Sequence, residues 1–274
     1  MASAPTTMPP KAKAPPLAES WDTAVMAPAE VSLHRYQRQI LIEDFGWYGQ
    51  ERLKNAKVVI AGAGGLGSPI AIYLAVAGIG KIRLIDGGRV ELSNLNRQIL
   101  YWDKDIGEEK ANAAKEKIQS LNSEVTVETV SEIITERNVF NLVADCSAIV
   151  DALDNFPGRY LLNKAAIREN IPLFHGAVYG FAGRATTIIP GETPCLRCIY
   201  RRIPPSEECP VIGVAPAVIG SIQATEVLKY VAGIGKLLTN RLLLYDGLAL
   251  RFMEIELKRH PECEECRPFV AGER

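Results

Sequence analysis

The chain has 274 residues, a net charge of −1, 47% hydrophobic residues and 23% charged residues, the balance of a soluble globular protein. The near-zero charge argues against broad attraction to nucleic acid or anionic membrane. The longest apolar runs, such as Val214 to Ile222, fall well short of the roughly 20 residues a membrane helix needs.

The first 30 residues are rich in Pro and Ala and lack the apolar stretch of a secretory signal, so a disordered tail is expected over 1–30 and a single folded unit over 31–274. Without an export signal the expected location is cytoplasmic. The six cysteines then read as metal ligands or reactive thiols rather than disulfides.

Taken in order, VSLHRYQRQI (31–40) reads as a short helix and KVVIAG (57–62) as a buried strand. SPIAIYLAVAG (68–78) is a helix closed by Gly78, and KIRLID (81–86) a second strand. GEEKANAAKEKIQSLN (107–122) has helical period, and EVTVETV (124–130) alternates as a strand should. ERNVFNLVADC is helical, SAIVDALD (147–154) a buried strand, RYLLNKAAIREN a helix and IPLFHGAVYG a strand. Strands alternating with helices predict an α/β fold with a doubly wound, mostly parallel sheet of Rossmann-like type. After residue 180 the rhythm changes. GRATTIIPG and RLLLYDGLALRFMEIELKR read as strands, the latter turning at Asp246-Gly247, with a long helix over 215–233 between them. This predicts an antiparallel C-terminal extension. The nucleotide-binding core is expected over about 57–180.

The stretch VVIAGAGGLGSPIA (58–71) places Gly62, Gly64 and Gly67 in G-x-G-x-x-G spacing between strand and helix. Glycines there allow a tight turn and bring backbone N–H groups to a phosphate at a helix N-terminus. Asp86, nineteen residues past Gly67 at the end of the next strand, suits ribose hydroxyls. This much fits an NAD(P)-dependent oxidoreductase as well as any other nucleotide enzyme. The following segment, DGGRVELSNLNRQILYWDKDIGEEKA, carries Asn94, Arg97, Gln98 and Lys110. Hydride transfer needs apolar cover, whereas breaking a triphosphate needs cations such as Arg97 and Lys110. Asp154 and Asn155 fall just past a buried strand, where a carboxylate can hold Mg²⁺ on phosphate oxygens. Asn155 also suits a helix cap. Asp151 points the other way along a regular strand.

Cys195 and Cys198 in PCLRC, with Cys263 and Cys266 in ECEEC, supply the four thiolates of a structural zinc. The 64 intervening residues rule out a self-contained finger and imply a clamp of the C-terminus onto the core. Two redox dithiols are the alternative, disfavoured because neither pair reads as opening a helix after a strand. Cys146 reads as a buried small residue. Cys209, in the polar Pro-broken loop YRRIPPSEECPVIG, reads as either a nucleophile or an unreactive loop cysteine. His34, His175 and His260 show no ligand or triad spacing.

Together these segments, with RYQRQI, DNFPGRYLLN and GVAPAVIGSIQATEVLK, span residues 35 to 266 and resemble the ThiF/MoeB/HesA family, bacterial relatives of ubiquitin-activating enzymes. The resemblance implies that Mg·ATP is used to adenylate the C-terminal glycine of a small ubiquitin-like β-grasp protein, a sulfur carrier of the MoaD/ThiS type, releasing pyrophosphate. It implies that Gly62, Gly64, Gly65 and Gly67 cradle the nucleotide, Asp86 binds its ribose, Asn94, Arg97 and Lys110 hold the phosphates and Asp154 the Mg²⁺. It further implies a homodimer in which Arg38 acts in trans, zinc on Cys195, Cys198, Cys263 and Cys266, and a partner-binding and zinc part over about 181–270. Because the attacking carboxylate is already ionised, no general base is required.

Many members read Asp-Cys-Thr-Asp-Asn where this chain reads Asp151-Ala-Leu-Asp154-Asn155, and Cys-x-x-Ala-Gly-Val where Cys209 is followed by Pro-Val-Ile-Gly-Val. No rhodanese-like stretch follows, so sulfur is expected from a separate sulfurtransferase. The other readings are the oxidoreductase, activation for protein conjugation through a Cys209 thioester, and a non-catalytic module that only docks the β-grasp partner. The charged set Arg38, Arg97, Lys110 and Asp154 argues against the last.

Overall fold

The structure, a computed structural model, describes residues 34–201 and 210–266. The expected 1–30 tail and Cys209 lie outside the described residues. Short helix α1 (Gln37–Ile40) precedes α2 (Gly46–Asn55), β1 (Lys57–Ala61), α3 (Gly67–Ala77), β2 (Lys81–Ile85), α4 (Lys110–Leu121) and β3 (Thr126–Val130). Next come α5 (Val139–Val143), β4 (Ala148–Asp151), α6 (Phe156–Glu169), β5 (Leu173–Tyr179) and β6 (Ala182–Ile188). Then α7 (Leu196–Ile199), α8 (Val214–Ala232), β7 (Arg241–Asp246) and β8 (Arg251–Glu256) complete the described chain.

The strands form one sheet of eight in the order β3-β2-β1-β4-β5-β6-β7-β8. The first five are parallel and the last three antiparallel, so the extension after residue 180 is present. Alternate strand residues serve two faces. Val58, Ile60, Ile82 and Leu84 join an apolar cluster with residues of α2, α3, α4 and α8. Ala61 and Ile149 pack instead with α5 and α6, and Val59 and Ile85 with Leu142 and Cys146. Parallel strands covered on both faces need such continuous apolar runs, and each fully buried Leu or Ile contributes about 1.5–3 kcal/mol.

The termini follow local chemistry. Gly78 (φ 90°) and Gly233 (φ 72°) end α3 and α8 in the left-handed conformation, which costs glycine no side-chain clash. Two elements differ from the sequence expectations. Helix α2 carries no strong apolar period, since only Gly49, Gln50 and Leu53 of its residues are buried, and it escapes a periodicity reading. The β7–β8 connection runs through four residues after Asp246 rather than a tight Asp-Gly turn. Leu250 takes the left-handed position (φ 50°), and the Asp246 carboxylate accepts the Leu248 and Ala249 amides at 3.0 and 3.1 Å.

The strand order reverses between β1 and β4, and in open α/β sheets the carboxyl edge beside such a reversal is where ligands bind.

Candidate active site

That edge is assembled by close backbone approach. A β-carbon at Gly62 (φ 98°) would sit 2.6 Å from the Ala152 carbonyl, and one at Gly67 only 1.9 Å from the Gly62 carbonyl. Both glycines are therefore demanded by packing of the β1 turn against α3 and against the loop after β4. Gly64 is different: its nearest neighbour for an added β-carbon is Gln98 Nε2 at 3.8 Å. None of the described residues requires glycine there, which leaves room for a ligand's approach.

The other expected residues gather around this turn. The Asp86 carboxylate accepts the Ala63 amide at 2.8 Å through one oxygen and the Gly88 amide at 2.8 Å through the other, fixing its orientation while leaving lone pairs for hydroxyl donors. Lys110 opens α4, and its Nζ lies 3.6 Å from a β-carbon built on Gly88, beside Asp86. Arg97 lies against Gly65, with its guanidinium on the Ser93 carbonyl at 2.8 Å and Asn96 Oδ1 at 2.9 Å. Gln98 is buried, and its Oε1 has no hydrogen-bond partner among the described residues; the same holds for Ser68 Oγ in the first turn of α3. Orphaned buried oxygens are uncommon, and these flank a helix N-terminus suited to an anion.

Asp154 and Asn155 are exposed at the same edge, two and three residues past Ala152. Asn155 caps α6 by accepting the Gly158 amide at 2.9 Å, and its amide reaches Asp154 Oδ1 at 3.3 Å. Both expected roles of Asn155, cap and neighbour of the carboxylate, are compatible. Asn94 is buried in its own turn, where its Oδ1 accepts the Glu91 amide at 3.2 Å. Arg38 is not part of this cluster. Helix α1 is anchored by Gln39, whose side chain donates to the Ala77 carbonyl at 3.0 Å, at the end of α3 opposite the glycine turn.

Tyr101 was not anticipated as a site residue. Its buried hydroxyl lies 2.9 Å from the Ala63 carbonyl and 3.2 Å from the Lys110 carbonyl, bracing the turn against α4. Burial pushes its phenol well above the ordinary range, with Asp86 adding to the shift, so it keeps its proton and serves as a donor. A second unanticipated group is the pair of Asp151 and His175, both fully buried, with His175 Nδ1 2.7 Å from Asp151 Oδ2. Asp151 is fully buried whereas Asp154 is exposed. Its side chain meets His175 across the β4–β5 register, a neighbour found only once strands are aligned.

At the far end of α6 the four expected cysteines converge, with all their sulfurs within 4.8 Å of one another. Cys195 lies 3.9 Å from Cys198 and 3.6 Å from Cys263, and Cys198 lies 3.5 Å from Cys266. A tetrahedral ion with sulfur bonds of about 2.3 Å needs sulfurs about 3.8 Å apart, so this set fits zinc as four ligands rather than two separate dithiols. Cys195 is the N-cap of the four-residue α7, which is reached from β6 through the loop 189–194 rather than directly. Burial pushes the Cys195 thiol up and, with the adjoining thiols, raises Cys266 to about 12, whereas amide donors from Cys266 and Glu265 draw Cys263 down against its burial; a cation binding here displaces the protons that remain. Cys146 is buried among apolar residues, as expected. Cys209 is outside the described residues.

The edge thus has a glycine turn, an oriented acid, two cations and an exposed carboxylate, the parts needed to hold a nucleotide and neutralise its phosphates. A sulfur carrier protein adenylyltransferase of Thermus thermophilus is 44% identical over 245 residues, covering 85% of this chain and 90% of its own. A SAMP-activating enzyme E1 of Haloferax volcanii is 42% identical over 240 residues, covering 85% and 88%. The crystal structure of E. coli MccB with ATP superposes with a TM-score of 0.76 at 27% identity, over 85% of this chain and 73% of that one. The ThiF family model matches residues 36–265, and the chain belongs to the ThiF family.

Proposed function

We propose that this chain adenylates the C-terminal glycine of a small ubiquitin-like β-grasp protein, a sulfur carrier, at the expense of ATP and with release of pyrophosphate. The observation that carries the reading is the convergence of the glycine turn, Asp86, Lys110, Arg97 and the unpartnered Gln98 Oε1 on one sheet edge. The turn and the N-terminus of α3 receive the phosphates, and Asp86 receives the ribose. The partner's carboxylate attacks the α-phosphorus in line, and positioning supplies much of the rate. Lys110 and Arg97 stabilise the growing negative charge, Arg97 by leaving its contacts with Ser93 and Asn96. Asp154, steadied by Asn155, would hold Mg²⁺, which when bound neutralises phosphate oxygens. No residue need remove a proton.

The assembly is a homodimer in which Arg38 completes the partner subunit's site. Support comes from the placement of α1: the eleven residues of α3 hold it about 16 Å from the glycine turn of its own protomer. Structural zinc on the four cysteines would clamp the C-terminal segment to α6 and α7. The β-grasp protein docks on the β7–β8 hairpin, where Leu248 and Leu250 of the connection and Phe252, Met253 and Ile255 of β8 are exposed. Sulfur would then be delivered by a separate sulfurtransferase. Four reduced thiols suit the cytoplasm; no helix among the described residues is long and apolar enough to cross a membrane.

The test is Mg²⁺-dependent ATP–pyrophosphate exchange with each small Gly-Gly-terminated protein of the same genome. Exchange with one of them is expected, and its absence with all of them, in zinc-loaded protein, would overturn the reading. A second reading is activation for conjugation. It requires a thiol-labile adduct on the chain that Cys209→Ser abolishes.

A further inference from the structure

The loop Ala152–Asn155, which presents Asp154, has no regular structure and is held by side chains that meet at one buried point. Asp151 Oδ1 accepts the Leu153 amide at 3.1 Å. Arg159, ion-paired with Asp151 at 3.7 Å, donates to the Leu153 carbonyl at 2.6 Å and to the Gly176 carbonyl at 3.3 Å. Gln223 of α8 donates to the Asp151 carbonyl at 2.8 Å and to the Phe174 carbonyl at 2.9 Å. The other Asp151 oxygen faces His175 Nδ1 at 2.7 Å, and His175 Nε2 lies 3.2 Å from the Tyr200 hydroxyl. A carboxylate only accepts, so Nδ1 carries the proton; Nε2 of the neutral ring then accepts from Tyr200. Tyr200 immediately follows α7, the helix that Cys195 caps and Cys198 occupies, and its carbonyl accepts the Tyr160 hydroxyl at 2.8 Å.

Burying aspartate, arginine and histidine together is a poor route to stability, since well-packed apolar residues do as well or better. The cluster instead joins the cysteine corner to the loop carrying Asp154 through buried side chains, beside the backbone of α6 that runs from its cap Asn155 to Asn163 at the corner. We propose that Tyr200, His175 and Asp151 form a positioning chain that transmits the placement of the cysteine helix to Ala152–Asn155 and so sets the Mg²⁺ affinity of Asp154 in the ATP complex. The inference rests on the metal-binding reading of Asp154 given above.

Two variants cut the chain gently. Tyr200→Phe removes only the hydroxyl. His175→Asn puts an amide nitrogen where Nδ1 stood, keeping a donor for Asp151 while losing Tyr200. In the full-length, zinc-loaded protein, ATP binding is measured calorimetrically across an Mg²⁺ titration. Each variant is expected to need about tenfold more Mg²⁺ for half-maximal effect, the size typical of losing an outer-shell partner, while metal-free ATP affinity stays within twofold. A lower melting temperature with an unchanged Mg²⁺ requirement would show packing alone and overturn the proposal. The ¹⁵N resonances of the His175 ring give an independent reading in the unmutated protein. They should shift when Mg²⁺ is added to the ATP complex, and their failure to move would also overturn it. An Asp154→Asn protein with the original Mg²⁺ requirement would instead remove the underlying site, a result distinct from wild-type-like behaviour of the two chain variants alone.

Discussion

The two ends of α6 solve opposite problems. At its C-terminal half, four sulfurs already stand 3.5 to 3.9 Å from their neighbours, and the surrounding polar groups are committed: Asn163 accepts the Leu196 amide at 2.8 Å, and Arg197 holds Glu265 at 3.2 Å. Around its N-terminal end and the adjoining glycine turn the groups keep spare capacity. Asp154 is exposed, Arg97 rests on its own turn, and Gln98 Oε1 and Ser68 Oγ have no partner among the described residues. A permanent ion is served by a site collapsed in advance. A nucleotide that must arrive, react and leave is served by donors and acceptors held in place but left unsatisfied.

This contrast can be broken at either end. Stripping the metal from the cysteine corner should cost the most: at least about 4 kcal/mol of folding stability if the site is normally a thousandfold above its dissociation constant. Denaturant unfolding with and without a strong chelator measures it, and equal midpoints would mean the corner holds no ion. Next comes the steric core of the glycine turn. Gly67→Ala forces a β-carbon onto the Gly62 carbonyl and should cost about 3 kcal/mol or more. Gly64→Ala, whose β-carbon meets Gln98 Nε2 at an unstrained 3.8 Å, should cost under about 0.5 kcal/mol yet weaken ATP binding; equal melting points for the two variants would refute the distinction.

Asp154→Ala should lower pyrophosphate exchange by about a hundredfold with little change in melting temperature, because the residue is exposed. A large loss of stability would reassign it to the fold. The smallest effect is on the pH dependence of stability. Burial holds His175 below the ordinary imidazole range, against the pull of Asp151 and with help from Arg159 and Arg184; Tyr200, its remaining neighbour, stays protonated. Since the folded protein refuses a proton that the unfolded chain accepts below about pH 6.5, stability should fall as pH drops from there toward the folded value. The slope from this one proton is up to about 1.4 kcal/mol per pH unit. Unfolding free energies between pH 7 and 5 should fall less steeply in His175→Asn, and parallel curves would show that His175 is not held neutral.

Much of the molecule was legible beforehand, for physical reasons that also explain the gaps. Buried parallel strands such as Val58 to Ala61 announce themselves as apolar runs, and helix ends at Gly78 and Gly233 follow from glycine's tolerance of positive φ. The glycine turn, Asp86 and the two C-x-x-C pairs are local spacings, and they survive folding as read. Helix α2 was invisible because it buries little of its own surface. The pairing of Asp151 with His175 depends on which residues of two strands lie side by side, so neither residue alone carries a signal. Arg38 could be named from a motif, but its separation from the glycine turn is a property of how α1 docks on α3.

The unequal demands on the glycines bear on how such chains are inherited. Gly62 and Gly67 are obligations of the fold, so a descendant that had abandoned ATP would still have to spell them, and the familiar motif would persist after its purpose had gone. Gly64 carries no such obligation. Drift at that one position, with its neighbours intact, is the mark by which a lapsed enzyme could be told from a working one.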